Sequence, residues 1–203
     1  MGLGEVYFNQ GRLDRAAAFF SKAKELLPEN VDVRLKLGMC QLSLRQPAEA
    51  RASARFVLER RPADPEAPLL LADTSTNGPE VEESRAILKA LPPPASSGAP
   101  ALAGQAMLAL KEKKLEEAEA LIAQARAADA KYYATSAAEA LLQLAKNEPA
   151  KADAAMRAMA ETAPNRVFTR SAGPPSSCSR RMSPPPARFW RPRSSGAPTT
   201  CPV

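Results

Sequence analysis

Residues 3–30, LGEVYFNQGRLDRAAAFFSKAKELLPEN, decide the fold. They read as two helices joined by a tight turn. The first runs to about Asn9, Gln10-Gly11-Arg12 reverses the chain, and the second begins near Leu13 with Asp14 in its first turn and stops at Pro28. Gly4 stands in the first helix and Ala16, twelve residues on, in the second. Steps of 34 from Gly4 reach Gly38, Ala72, Ala106 and Ala140; the same steps from Ala16 reach Ala50, Ser84, Ala118 and Ala152. All ten residues are small. A third column, Ala23, Val57, Leu91, Ala125 and Met159, is apolar, and a fourth holds Pro28, Pro62, Ser96, Ala130 and Pro164, with no insertion between units.

Such a register is expected of a pair of antiparallel helices whose backbones approach closely at one crossing, where a side chain larger than Ala would hold them apart. Five all-α units follow, over residues 1–30, 31–64, 65–98, 99–132 and 133–164. Pro47 and Pro149 stand near the start of the second helix in units two and five, where a missing N–H costs least. In unit three Gly78-Pro79 shortens the first helix, and Pro92 to Pro94 end the second early.

The opening stretch resembles a tetratricopeptide repeat, with Leu3, Gly4, Tyr7, Gly11, Leu13, Ala16, Phe20, Ala23 and Pro28 in the family's columns. Unit two matches through Leu37, Gly38, Ala50 and Pro62. Units three to five are degenerate; in units four and five Gln105 and Glu139 stand where the family has an apolar residue. The resemblance implies a right-handed α-solenoid whose first helices (A) line a concave face, with the second helices (B) outside. It also implies a protein-protein interaction scaffold that holds a peptide or helix in that groove, without catalysis or cofactor. The groove positions it implies are Glu5, Phe8 and Asn9 in unit one, Leu35, Lys36, Met39, Leu42 and Ser43 in unit two, and Leu69, Asp73 and Thr76 in unit three. Met107, Leu110, Lys111, Leu141 and Leu144 continue the row. This lining is mostly apolar, which suits an amphipathic helix or an apolar segment as ligand; the bland alternative is that many of these side chains are inter-unit core. Members of the family that hold a C-terminal carboxylate use Lys, Asn and Arg at positions matched here by Met1, Glu5, Lys36, Glu66 and Leu70. Only Lys36 has the right charge, so that mode is not expected.

Composition narrows the chemistry. The 203-residue chain contains no His, which excludes Ser-His-Asp and Cys-His nucleophiles and the usual His-containing zinc sites. Cys40, Cys178 and Cys201 show no CxxC spacing, and Cys40, on an apolar helix face, reads as a small buried hydrophobe. The acidic runs Glu82-Glu83 and Glu116-Glu117-Glu119 fall in the first turns of B helices, where they favour the dipole and face solvent. KEKK at 111–114 reads as a charged turn. No apolar run is long enough to span a bilayer, and no secretory leader opens the chain, so as written it is expected in the cytoplasm. Family likeness to large bacterial envelope and secretion assemblies places a longer parent protein in the cell envelope.

The net charge of +6 belongs to the end of the chain. Residues 165–203 hold seven Arg and no Lys, Asp or Glu, which leaves the body 21 basic against 22 acidic residues. Eight Pro and seven Ser in that tail predict disorder. Arg around Phe189 and Trp190 would suit a nucleic-acid arm, the alternative function. The composition also matches a shifted-frame translation of GC-rich DNA, and the change falls at the end of a unit. Met1 falls at position five of its own unit, so both ends read as cuts through a longer array.

Overall fold

The computed structural model describes residues 2–162, which form ten α-helices and one short 3-10 turn. The tail readings, both disorder and shifted frame, and the nucleic-acid arm fall on residues 165–203 and lie outside the described residues. The helices pair as α1 (Gly2–Asn9) with α2 (Leu13–Leu26), α3 (Val31–Ser43) with α4 (Pro47–Arg60), α5 (Ala67–Thr74) with α6 (Gly78–Lys89), α7 (Ala99–Lys111) with α8 (Leu115–Ala128), and α9 (Tyr133–Ala145) with α10 (Pro149–Thr162). Pro47 and Pro149 are the first residues of α4 and α10, where their missing N–H breaks no helical bond.

The pairs stack because each alone leaves an apolar stripe bare. α2 covers α3, α4 covers α5, α6 covers α7 and α8 covers α9. α3, α5, α7 and α9 also touch in series, so the A helices make a continuous inner layer, while successive B helices are splayed apart. That asymmetry curves the array toward its A side.

All ten small-column residues are buried. A Cβ built on Gly38 would lie 2.8 Å from Leu70 Cδ2 and 2.9 Å from Ser53 Cβ, and one on Gly4 would lie 3.0 Å from Phe20 Cε1. Ser84, the polar member of the columns, is satisfied by a hydroxyl–hydroxyl bond to Ser75 at 2.7 Å. Core clusters follow the seams: Phe20 of α2 packs with Val33, Leu37 and Cys40 of α3, and Val57 and Leu58 of α4 pack with Leu70 and Leu71 of α5. Leu3 and Val6 of α1, 34 residues before the covered Leu37 and Cys40, are exposed.

Four of the five A-to-B turns share one backbone. Gly11, Arg45, Lys113 and Asn147 have φ between 61° and 73°. In each turn the next N–H reaches back to a carbonyl in the last turn of helix A: Arg12 to Tyr7 (2.9 Å), Gln46 to Gln41 (2.9 Å), Lys114 to Ala109 (2.9 Å) and Glu148 to Gln143 (2.8 Å). This is the Schellman closure, which requires a left-handed residue. The same position in unit three is Pro79, whose ring fixes φ near −65° and forbids it. The chain instead ends α5 at Thr74 and caps α6 with a reciprocal box: Asn77 Oδ1 accepts from Glu80 N at 3.0 Å, and Glu80 Oε2 accepts from the Asn77 amide at 3.3 Å.

Only Gly11 occupies the left-handed position without a side-chain penalty, since it carries no Cβ. Arg45→Gly and Lys113→Gly, both exposed, are therefore expected to raise stability by up to about 1 kcal/mol each. Urea midpoints measure this, and a lowered midpoint in both would contradict the turn assignment.

Candidate functional site

The inner layer presents two rows of side chains at 34-residue steps. One row is Glu5, Met39, Asp73, Met107 and Leu141. The other, nearer the C-terminal ends of the A helices, is Phe8, Leu42, Thr76, Leu110 and Leu144. Met39, Leu42, Met107 and Leu110 are half-buried, while Leu141 and Leu144 remain 44% and 37% exposed. Apolar surface of this kind, left in register on successive helices, can receive the apolar face of another helix.

Not every expected groove position is open. Leu35 and Leu69 are buried. Leu35 belongs to the core shared by units two to four. Leu69 packs with Ala99, Ala103 and Tyr132, and the Tyr132 hydroxyl donates to the Pro65 carbonyl, tying the residue that caps α9 to the start of unit three over the small residues of α7. Asn9 is exposed at the end of α1. Lys36 is committed: its ammonium lies 3.3 Å from Glu5 Oε1 and 5.6 Å from the centre of the Phe8 ring. Of the positions matched to the carboxylate-holding set, Lys36 is thus engaged by Glu5 and Leu70 is buried.

The centre of the face is polar, and its chemistry is set by the shortened α5. Lys111 Nζ, from the last turn of α7, donates to the carbonyls of Ala72 (2.6 Å), Asp73 (3.2 Å) and Ser75 (2.8 Å). Lys111, read from sequence as part of a solvated turn, is thus the cap of α5, where a cation also suits the helix dipole. Arg51 from α4 donates to the Thr74 carbonyl at 2.8 Å and pairs with Glu80 at 2.7 Å. Asp73 Oδ2 is buried and has no hydrogen-bond partner among the described residues.

Burial pushes the Asp73 carboxyl up to about 6, and the neighbouring Lys111 ammonium only partly opposes that rise. Glu80 behaves oppositely: the Arg51 guanidinium, then the Thr76 amide and hydroxyl, hold it down at about 2. The signs for stability follow. Asp73 is penalised in the folded state when charged, so its penalty is complete above pH 6 and is relieved as pH falls toward its unfolded value of about 4. Glu80 contributes stability above its unfolded value of about 4, and loses it as pH falls toward 2. Asp73→Asn is expected to stabilise the array by about 1–2 kcal/mol at pH 7, discounted for the partial exposure of the side chain, with the gain fading by pH 4. Urea unfolding at the two pH values checks this; an equal or reversed effect would contradict it.

The acidic runs are more engaged than a purely solvated reading implies. Arg55 of α4 pairs with Glu83 of α6 at 2.6 Å, and Arg85 of α6 binds both Glu117 of α8 (2.6 Å) and Glu112. Arg85 holds Glu117 below the usual carboxylate range. These pairs tie successive B helices across the outer layer. Cys40 is fully buried, and burial pushes its thiol up to about 12, so it carries no thiolate at neutral pH. Among the described residues no group of three or more Cys, Asp or Glu side chains could hold a metal ion, and no helix is long and apolar enough to cross a membrane. Two open depressions of about 400 Å³ each flank α4 on the outer layer, floored in part by Phe56 and Leu58, but their Arg51 and Arg55 already hold Glu80 and Glu83.

Paired helices in unbroken 34-residue register, with small residues at every crossing, define a helical-repeat solenoid. Two tetratricopeptide-repeat family models match the chain, over residues 7–55 and 35–100. Residues 7–100 thus carry tetratricopeptide repeats. The chain's fold is similar to that of TTC0263, a thermophilic tetratricopeptide-repeat protein of Thermus thermophilus, at 20% identity over 84% of this chain and 93% of that one, with a TM-score of 0.63. It is also similar to MamA (18% identity, 80% and 95% covered, TM-score 0.51) and to MamA from Desulfovibrio magneticus RS-1 (14% identity, 85% and 94% covered, TM-score 0.51). No curated protein sequence matches it.

Proposed function

We propose that the protein is a non-catalytic scaffold that binds an amphipathic helix or apolar segment of a partner protein along the concave face. The observation that carries this reading is the row Phe8, Leu42, Leu110 and Leu144, which leaves apolar surface in register on four A helices, with Leu144 37% exposed. Each side chain is anchored on a rigid helix, so the row is preorganised and little ordering cost falls on the protein. The mechanism is equilibrium binding: apolar area on both partners leaves water, and the polar centre around Asp73 fixes orientation.

Leu110→Glu and Leu144→Glu place charges on this row; Leu144 is exposed, whereas Leu110 also packs against the core cluster of Ala106, Ala118 and Leu142. In a co-purification from the source organism, each is expected to lower recovery of the partner at least about tenfold, as a desolvated apolar contact becomes a buried charge. Circular dichroism at low temperature should keep its helical shape in both, while Leu110→Glu, which touches the core, should also melt earlier than Leu144→Glu. A partner retained at wild-type level by the Leu110→Glu, Leu144→Glu double variant would refute the concave reading.

A further inference from the structure

An unmet hydrogen-bond requirement lies midway along the apolar row. Asp73 stands on α5 in step with Met39 on α3 and Met107 on α7. Its Oδ2 is buried and lacks a donor among the described residues. The nearest cation cannot supply one. An ammonium has three donors, and Lys111 gives all three to the carbonyls of Ala72, Asp73 and Ser75. Arg51 is turned to Glu80 and the Thr74 carbonyl. A buried carboxylate oxygen left without a donor is costly, and in a native structure such a group calls for a partner.

We propose that Asp73 receives a Lys or Arg of the ligand, so that the partner segment is an amphipathic helix with one basic residue set between two apolar anchors. This rests on the concave-groove reading above and specifies its ligand. Met39 and Met107, one unit before and one unit after Asp73 in the same row, suit the methylene stem of a long basic side chain, whose head then meets Asp73 in a charge-assisted bond. The spacing also follows. Packed neighbouring helices lie about 8–10 Å apart, so Leu42 and Leu110, two helices apart, are separated by about 16–20 Å. A ligand helix rising 1.5 Å per residue crosses that span in about 11 residues, and the basic residue shares the anchors' face when it stands about four residues from one anchor and about seven from the other.

The test is selection of a displayed library of 18-residue helical peptides on the full-length chain and, in parallel, on Asp73→Asn, a variant that keeps the side-chain shape and leaves the Lys111 bonds to backbone intact. On the wild type, selected peptides should carry Lys or Arg about four residues from one apolar anchor and about seven from the other. On Asp73→Asn that basic preference should fall to the library background. For the best peptide, replacing its basic residue by Met should weaken binding to the wild type at least about tenfold by fluorescence anisotropy, and should leave binding to Asp73→Asn within about twofold. Peptides that require Leu110 but show no basic preference, or the same preference on Asp73→Asn, would overturn the ligand assignment and leave the concave reading standing. If no selected peptide depends on Leu110, both fall.

Discussion

Gly38→Leu should disrupt the array at its second crossing, lowering stability by about 3 kcal/mol and the melting midpoint by about 6–12 °C for a domain of this size. A bare Cβ at position 38 already lies 2.8 Å from Leu70 Cδ2 and 2.9 Å from Ser53 Cβ, with the Ala50 carbonyl oxygen at 3.4 Å. Leu70 could turn aside, but Ser53 and Ala50 sit on α4, so the larger side chain must push α4 away from α3. That movement opens the seam where Val57 and Leu58 pack on α5. The matched control is Gly78→Ala, at the start of α6, where a Cβ would meet nothing within 4 Å. Thermal unfolding followed by circular dichroism compares the two. A Gly38→Leu midpoint equal to that of Gly78→Ala would show that the 34-residue register does not mark close crossings.

Lys111→Met should be nearly as damaging, at about 2–4 kcal/mol, although it leaves the methylene stem and its packing in place. It strips the ammonium from three carbonyls at the end of α5 and leaves buried Asp73 beside no compensating charge. The two losses can be separated. Adding Asp73→Asn removes the charge but not the orphaned carbonyls, so the double variant should recover part of the stability and no more. Urea unfolding of the single and double variants at pH 7 gives the coupling. Full recovery would show that Lys111 serves only to balance Asp73; a neutral single variant would show that the carbonyls of α5 find water instead.

The register of the fold could be read in the chain because close crossings forbid large side chains, and that demand repeats wherever the pair repeats. The turn chemistry was only partly visible. Gly11 and Asn147 are residue types that favour a left-handed φ, whereas Arg45 and Lys113 adopt the same φ without the residue type that signals it. Pro79 was legible as a break in unit three, since a fixed φ excludes the shared turn. What the break required was not. The capping of α5 by Lys111, 38 residues beyond Asp73, depends on how α7 packs on the shortened helix. The candidate face has the same limits. A step of 34 assigns Leu69 to a row, but only the way α9 packs back on α7 brings its capping residue Tyr132 over Leu69. Pairings such as Arg85 with Glu112 and Glu117 likewise depend on the rotation between units rather than on spacing along one helix.

Concave binding is tested most directly by a photo-crosslinking amino acid placed at position 144, on the exposed inner row, and separately at position 55, on the outer layer, with capture from the source organism. The partner should crosslink from position 144, and the yield should fall at least about tenfold when Leu110→Glu is added. Position 55 should give no such product. A partner captured from position 55 and not from 144, or captured from 144 regardless of Leu110→Glu, would contradict binding along the inner face.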